Sequence, residues 1–112
     1  MGQVTPAPDP RGDRFRALGD PTRRGILALI ADDERPAGQI AAAFAMTRPG
    51  VSRHLRILRE AGLVRVRARG TTRLYRADTE ALADMARFFA RFWDDGLARL
   101  KHAAQAEARG DG

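Results

Sequence analysis

Residues 47–62 read TRPGVSRHLRILREAG, and they carry two distinct rows of side chains when the segment is folded as a helix. Val51, Leu55 and Leu58 recur at the helical period and form one apolar stripe. The opposite side collects polar and charged residues: Pro49, Ser52, Arg53, Arg56 and Glu60. One face is therefore expected to pack on a core, while the other presents a hydroxyl group and two guanidinium groups to a partner.

The sequence also predicts where this helix begins and ends. Thr47 is a suitable N-cap, and Pro49 is tolerated because first-turn amides have no partner inside the helix. Gly62 is a suitable left-handed stop. An α-helix fits the major groove of B-DNA, where guanine offers two acceptors to an arginine. The pattern favours a DNA-recognition helix; an amphipathic surface helix with solvated arginines is the alternative.

The basic charge of the chain is concentrated next to this helix. Residues 48–76 contain nine arginines and one acid, Glu60, and so carry a net charge of +8. The whole chain carries +6, so the remaining residues sum to −2. A localised positive field of this kind indicates binding to a polyanion such as double-stranded DNA.

Composition excludes several other classes of protein. The chain has 112 residues with 44% hydrophobic content, which suits one folded domain. There is no cysteine, and therefore no disulfide or thiolate site. The sequence shows no signal peptide and no apolar run of membrane-spanning length, so we expect a cytoplasmic protein with no membrane partner. Neither a Ser/His/Asp set nor a phosphate loop is present, so we expect neither an enzyme nor a cofactor.

Before residue 47, the chain is predicted to form a flexible tail and three helices. The proline-rich residues 1–12 read as the tail, followed by a short helix over 13–18. A second helix starts at Asp20-Pro21 and ends near residue 31, and a third covers 37–44. The residues expected to face the core are Ile26, Leu27 and Ile30 on the second helix and Ile40, Ala41 and Phe44 on the third. Gly25 inside the second helix indicates close helix packing. Together with 47–62, these segments predict a helix-turn-helix.

After Gly62 the pattern changes to the two-residue period of a β-strand. Two strands flank Gly70-Thr71 and predict a hairpin, or wing, with a basic tip. The residues at or near the tip are Arg67, Arg69, Thr71, Thr72 and Arg73. Such residues suit contacts with backbone phosphates or the minor groove. A charged edge hairpin, in which arginine discourages sheet extension, is the alternative.

A long final helix is predicted from Glu80 to about Ala104, capped by Asp78 or Thr79 and followed by a polar tail at 105–112. It carries an apolar stripe that consists of Leu82, Met85, Phe88, Phe89, Phe92, Trp93, Leu97 and Leu100. Four of the six Phe and Trp residues of the chain lie here, which is more area than so small a core can cover. We therefore expect a homodimer interface formed by this helix and Phe15; folding back onto its own domain is the alternative.

Three segments together resemble the ArsR family of bacterial winged-helix repressors: FRALGDPTRRGILALI (15–30), AGQIAAAF (37–44) and TRPGVSRHLRILREAGLVRVRARGTTRLYR (47–76). The resemblance covers roughly residues 13–101 and implies a homodimer that represses transcription from an inverted-repeat operator. The expected fold is mainly α with a small β-hairpin, comprising five helices and a two-stranded wing over residues 13–104, and dimerising through the terminal helices. The expected DNA contacts, some derived from the residues and some implied by the resemblance, are Thr47, Arg48, Pro49, Ser52, Arg53, His54, Arg56, Arg67, Arg69, Thr71 and Arg73.

The chain departs from family members that release DNA on binding a metal. The cysteine pair at the start of the third helix is absent, and the chain has two histidines in total. First-row metals favour imidazole or thiolate ligands in threes or fours, so we expect no metal site; the final helix resembles a metal-free subgroup. Pairing of His102 with Asp94 or Asp95 across a dimer is the arrangement left open. The effector is unknown. A winged-helix protein-interaction module and a nonspecific DNA-binding protein remain the alternative functions.

Overall fold

The computed structural model describes residues 10–110, which form five helices and a three-stranded sheet. In chain order these are α1 (Pro10–Leu18), α2 (Pro21–Ile30), β1 (Arg35–Pro36), α3 (Ala37–Ala43), α4 (Arg48–Glu60), β2 (Val64–Arg69), β3 (Thr72–Ala77) and α5 (Thr79–Ala108). The chain divides into two compact units, and the boundary lies between Ala81 and Leu82. No helix within residues 10–110 has the length and apolar character needed to cross a membrane. The predicted winged helix-turn-helix with five helices is confirmed.

The core of the first unit is built from the inner faces of α2, α3 and α4 together with the sheet. Its large, fully buried side chains are Ile26, Ile30, Ile40, Val51, Leu55, Leu58 and Leu63. The buried residues of α2 and α4 follow the helical spacing read from the sequence, because a helix that packs on one side buries positions three and four apart. Phe44 is only partly buried, since it lies at the end of α3 rather than under it. Its ring still explains Gly25: a Cβ on Gly25 would lie 2.9 Å from Cε1 of Phe44.

The turn between α3 and α4 is closed by two backbone hydrogen bonds. Met46 N donates to Ala41 O at 3.0 Å, and Ala45 N donates to Ala42 O at 3.3 Å. This pairing is a Schellman motif, which usually places glycine at its left-handed position. Here Ala45 occupies that position, with φ of 51°. The turn that orients α4 therefore holds a residue in a conformation that disfavours L side chains.

The sheet has one strand more than the sequence predicts. The wing strands β2 and β3 pair antiparallel, from Val64 opposite Ala77 to Arg69 opposite Thr72. Strand β1 pairs with the other edge of β3, with Arg35 opposite Tyr75 and Pro36 opposite Leu74. The predicted two-stranded wing is therefore confirmed as β2 and β3, and the sequence missed the third strand of the sheet. A strand of two residues shows no alternation, and a proline lacks the N–H of a typical strand residue.

Two helix boundaries also differ from the predictions. Helix α1 begins at Pro10, three residues before the expected start, because proline suits the first helical position. Helix α5 ends at Ala108 rather than near Ala104, because Ala, Gln and Glu after that point are strong helix formers. Residues 10–12 and 105–108, which were predicted to belong to the tails, are therefore helical. Residues 1–9 and 111–112 of those tails lie outside the described residues.

Arginine side chains tie α1 to its neighbours through carbonyl groups. Arg23 Nε donates to Ala17 O at 2.7 Å, and Arg24 Nη1 donates to Leu18 O at 2.8 Å. These bonds satisfy carbonyls that a helix C-terminus leaves without intrahelical partners. In addition, Arg14 Nε donates to Ala61 O at 3.2 Å. Helix α1 therefore braces the C-terminal end of α4.

Candidate nucleic-acid interface

Helix α4 starts and stops where its sequence indicates. The Thr47 hydroxyl accepts a hydrogen bond from Gly50 N at 3.2 Å, so Thr47 is the N-cap. At the other end Gly62 has φ of 77°, Gly62 N donates to Arg59 O at 3.0 Å, and Leu63 N donates to Leu58 O at 2.9 Å. These bonds form a second Schellman motif, with the glycine that the motif favours. Both ends of α4 are thus fixed by local chemistry.

The two faces of α4 separate as predicted. Val51, Leu55 and Leu58 each have 1% or less of their surface exposed. The opposite side is open, and its exposed residues are Arg48, Pro49, Ser52, Arg53, Arg56, Arg59 and Glu60. Within residues 11–110, neither Arg53 nor Arg56 has an ion-pair partner. The outer face of α4 therefore offers unneutralised guanidinium groups on a rigid support.

His54 lies apart from that outer face. Its side chain is 20% exposed, and its Nδ1 lies 3.9 Å from Asp20 Oδ2 and 3.5 Å from Arg23 Nη1. Asp20 caps α2, and its pKa is lowered chiefly because Arg23 N donates to its carboxylate at 2.9 Å. The ring thus faces the start of α2, and its contact with DNA stays a prediction.

The wing tip places three of the predicted residues in the open. Gly70, with φ of 62°, makes the turn between β2 and β3. Arg69, Thr71 and Arg73 around it are all exposed. No carboxylate within the described residues pairs with Arg69 or Arg73. The tip is therefore a second positively charged surface of the first unit.

Arg67, the remaining predicted wing contact, lies opposite Leu74 in the middle of the hairpin and is paired with an acid instead. Its Nε donates to Glu34 Oε2 at 2.8 Å and to Oε1 at 2.9 Å, and its Nη2 also donates to Oε1. This hydrogen bonding is the main reason why the pKa of Glu34 is lowered and that of Arg67 is raised. Arg67 is thus already bound to a carboxylate, and its role as a DNA contact stays untested.

Arg65 is paired in the same way on the same strand. Its Nε donates to Asp78 Oδ2 at 3.1 Å, and its Nη2 lies 3.9 Å from Glu80. Asp78 also caps α5 by accepting from Ala81 N at 3.0 Å, which is the chief cause of its lowered pKa. Sequence reasoning missed both carboxylate partners because Glu34 and Asp78 lie outside the basic segment. For Asp78, the signal was its position directly after β3, which the hairpin register places near Arg65.

In the second unit, α5 carries a broad exposed apolar surface. Phe89 is 50% exposed, Phe92 59%, Trp93 54% and Leu97 45%. The rings of Phe89 and Trp93 stack, with centroids 6.0 Å apart and planes inclined by 18°. A cluster of aromatic side chains open to solvent in a single chain is typical of a protein interface.

The other residues predicted for that interface are less open. Phe15 on α1 is 39% exposed, whereas Leu82 and Phe88 are partly covered. Met85 has only 4% of its surface exposed and can therefore contribute little area to a partner. Within the described residues, no group of three His, Asp or Glu side chains comes together in a way that would hold a metal ion. The absence of a metal site stays a prediction.

Comparison with known sequences places this geometry among transcriptional regulators. A family model described as a helix-turn-helix domain matches residues 18–67. The chain is 36% identical over 93 residues to the HTH-type transcriptional regulator Rv2034 of Mycobacterium tuberculosis, covering 83% of this chain and 87% of that protein. It is 35% identical over 82 residues to the transcriptional repressor SdpR of Bacillus subtilis, covering 73% and 91%.

Solved structures agree with the sequence relatives. An ArsR-like transcriptional regulator from Rhodococcus sp. RHA1 superposes with a TM-score of 0.71 at 32% identity, covering 85% of this chain and 92% of that one. The homodimeric winged helix-turn-helix DNA-binding domain of Mb0332 from Mycobacterium bovis, a possible ArsR-family regulator, superposes with a TM-score of 0.62 at 31% identity, covering 83% and 90%. With this similarity across most of its length, the chain belongs to the ArsR family of winged helix-turn-helix transcriptional regulators.

Proposed function

We propose that this protein is a homodimeric repressor that binds an inverted-repeat operator in double-stranded DNA. The observation that carries the proposal is the outer face of α4, where Arg53 and Arg56 are exposed without carboxylate partners while the inner face is locked into the core. A rigid helix with arginine forks suits direct reading of guanine edges in the major groove. Such a role requires the protein to work with the chromosome, in the cytoplasm.

The proposed DNA surface has two parts with different tasks. On α4, Ser52, Arg53 and Arg56 face the bases, while Thr47 and Pro49 set the start of the helix. At the wing tip, Arg69, Thr71 and Arg73 contact phosphates or the minor groove, because basic and hydroxyl side chains on a protruding hairpin suit the DNA backbone. His54 and Arg67 are weaker candidates, since each already has a charged neighbour within the chain.

Dimerisation is proposed to occur through α5. The exposed rings of Phe89, Phe92 and Trp93 support this, together with the homodimeric state of the related Mycobacterium bovis domain. Phe15, Leu82, Phe88 and Leu97 are proposed to extend the same interface. A twofold dimer presents two copies of α4, which is why the operator is expected to be an inverted repeat.

Repression, rather than activation, is proposed because a relative that shares 35% identity is a transcriptional repressor. A dimer that covers promoter DNA blocks access to it without any further surface. The proposed repressor uses neither a metal nor a cofactor. Residues 13–104 are proposed to carry both DNA binding and dimerisation.

The test is fluorescence anisotropy with two labelled duplexes of equal length across a salt series. One duplex carries the DNA upstream of the protein's own gene, and the other is random. Phosphate contacts predict a steep salt dependence on both duplexes. Tighter binding to the upstream duplex, on the order of 1000-fold, supports a specific autoregulator. Equal binding to both favours a nonspecific DNA-binding protein, and no binding at low salt favours an interaction module.

The oligomeric state is tested separately by sedimentation equilibrium. We expect the wild-type chain to be a dimer and the Trp93→Asp variant to be a monomer, because a buried carboxylate without a partner is unfavourable at an apolar interface. Ala98→Asp places the same charge elsewhere on α5 and serves as the control. A monomeric wild-type protein that still binds the upstream duplex specifically would contradict the dimer.

A further inference from the structure

A groove separates the start of α3, the start of α4 and the wing. It has a volume of about 650 Å³, and its polar walls include Gln39, Arg48, Thr72, Arg73 and Tyr75. All of these residues belong to the first unit. Arg48 and the wing-tip residues Thr71, Thr72 and Arg73 were expected near DNA from the sequence, whereas Gln39 and Tyr75 were not, and the sequence did not show that these residues share one groove.

Local structure explains why these segments come together. Strand β1 pairs Arg35 with Tyr75 on β3, and α3 begins one residue after β1 ends. The start of α3 is therefore held beside the wing strand. On the opposite side, the Thr47 cap fixes Arg48 as the first residue of α4.

The side chain of Arg48 leans toward α3. A Cβ added to Gly38 would lie 3.8 Å from Nη1 of Arg48 and 3.9 Å from its Cζ, which is ordinary van der Waals contact. The guanidinium group thus lies next to Gly38 and lines the groove. Arg53, although it is exposed on the same helix, lines no part of the groove.

The charge in the groove is of one sign. Its lining contains two arginines, three hydroxyl groups and one amide, but no carboxylate. Three other cavities of the described residues each have at least one acid in their walls: Asp13 and Glu60, Glu34, or Asp78 and Glu80. Arginine forks together with hydroxyl and amide donors form the chemistry that recognises phosphate oxygens.

We propose that this groove binds a phosphodiester of the DNA backbone and that Arg48 contacts phosphate rather than base edges. The inference rests on the proposed function, because DNA seated on α4 carries its backbone past the start of that helix. The groove is much larger than an isolated phosphate ion, and its open shape suits a phosphate with the flanking sugars. Arg48 then supplies affinity on every sequence, while Arg53 supplies discrimination between sequences.

The test compares Arg48→Ala with Arg59→Ala, using the upstream and random duplexes. Arg59 is exposed on the same helix but does not line the groove, so its substitution removes an equal charge. We expect Arg48→Ala to weaken binding to both duplexes by the same factor, roughly tenfold, and to reduce the salt slope by about 0.9. Arg48→Lys should keep most of the affinity, because lysine also binds phosphate as a point charge.

Two DNA results would overturn the inference. A loss confined to the upstream duplex means that Arg48 reads bases. A loss no larger than that of Arg59→Ala means that the groove holds no backbone phosphate. Thermal unfolding of each variant confirms that the fold is intact; Arg48 is exposed, so the midpoint should stay unchanged.

A titration with inorganic phosphate tests whether the groove binds a free phosphate ion or requires the phosphates of the DNA backbone. The backbone amide signals of Gly38 and Gln39 are followed by NMR in the DNA-free protein. Shifts without saturation at millimolar phosphate support a site that needs the DNA backbone, whereas tight saturable binding overturns it in favour of a free anion.

The outcomes also distinguish this inference from the proposed function. Equal affinity of the wild-type protein for both duplexes contradicts a specific repressor, yet the Arg48→Ala comparison on random DNA still decides the role of the groove. No binding to either duplex overturns both proposals.

Discussion

Helix α4 and strand β2 are both rich in arginine, but the two regions hold that charge differently. On α4, Arg53 and Arg56 are exposed and lack an ion-pair partner within residues 11–110. On β2, Arg65 is bonded to Asp78 and Arg67 is bonded to Glu34. The net charge of the basic segment therefore overstates the charge available to DNA, because acids from outside the segment pair with Arg65 and Arg67 of β2.

The largest expected effect compares the two regions directly. Arg53→Ala should reduce the preference for the operator by about 1–3 kcal/mol, because a fork that reads guanine is lost. Arg67→Ala should leave that preference nearly unchanged, because Arg67 is already bonded to Glu34. Anisotropy with the operator and random duplexes measures both. Equal losses for the two variants would break the comparison, and a uniform loss on all DNA would refute base reading by Arg53.

A substitution in the turn before α4 tests whether charge alone makes the difference. Ala45→Gly should raise the free energy of unfolding by about 1 kcal/mol, since glycine adopts positive φ without the penalty that alanine carries. Urea unfolding measures this change. DNA affinity should stay the same, because no arginine is altered. Altered operator binding would mean that the contribution of α4 to DNA affinity depends on the strained turn and not only on its exposed arginines.

Releasing a wing arginine should make β2 behave more like α4. Glu34→Gln frees Arg67, so we expect affinity for random DNA to rise about threefold, with a salt slope steeper by up to 0.9, the value for about one added phosphate contact. Asp32→Asn removes the same charge from an exposed site in the same loop and is the matched control. If both variants change binding equally, the effect is one of net charge and not of the Glu34–Arg67 pair.

Acid sensitivity gives the smallest signal, and it tests the Glu34–Arg67 pair on β2. The pKa of Glu34 in the folded protein lies below its ordinary value of 4.5, chiefly because Arg67 donates to it. A lowered folded pKa means that this stabilisation is complete above about pH 5 and is lost as the pH falls through 4.5 toward the folded value. The thermal midpoint should fall over that window. Arg67→Ala should reduce this fall of the thermal midpoint. An equal reduction in Arg53→Ala would contradict the assignment of the fall to the Glu34–Arg67 pair.

The contrast also shows how far sequence reasoning reaches. The spacing of Val51, Leu55 and Leu58 predicted the buried face of α4, because helical periodicity is a local property. The sequence also correctly predicted the N-cap at Thr47 and the left-handed conformation of Gly62. These features depend on residues within a few positions of one another.

What the sequence did not reveal depends on distant partners. Strand β1 is too short for a periodic pattern, so the third strand was missed. Glu34 and Arg67 are 33 positions apart, and they meet only because β1 brings the loop before α3 to the sheet. Charge counted along the chain cannot show which arginines a fold neutralises, because that depends on tertiary contacts.

Strand β1 has a consequence for the flexibility of the wing. A hairpin that pairs with no third strand can bend more easily relative to the rest of its domain. Here β3 is hydrogen-bonded on both edges, to β2 along its length and to β1 at Tyr75 and Leu74. Because β3 is paired on two sides, we expect the tip to sample fewer orientations before it meets DNA. We therefore expect less conformational entropy to be lost on docking, so that β1 raises DNA affinity by preorganising the wing.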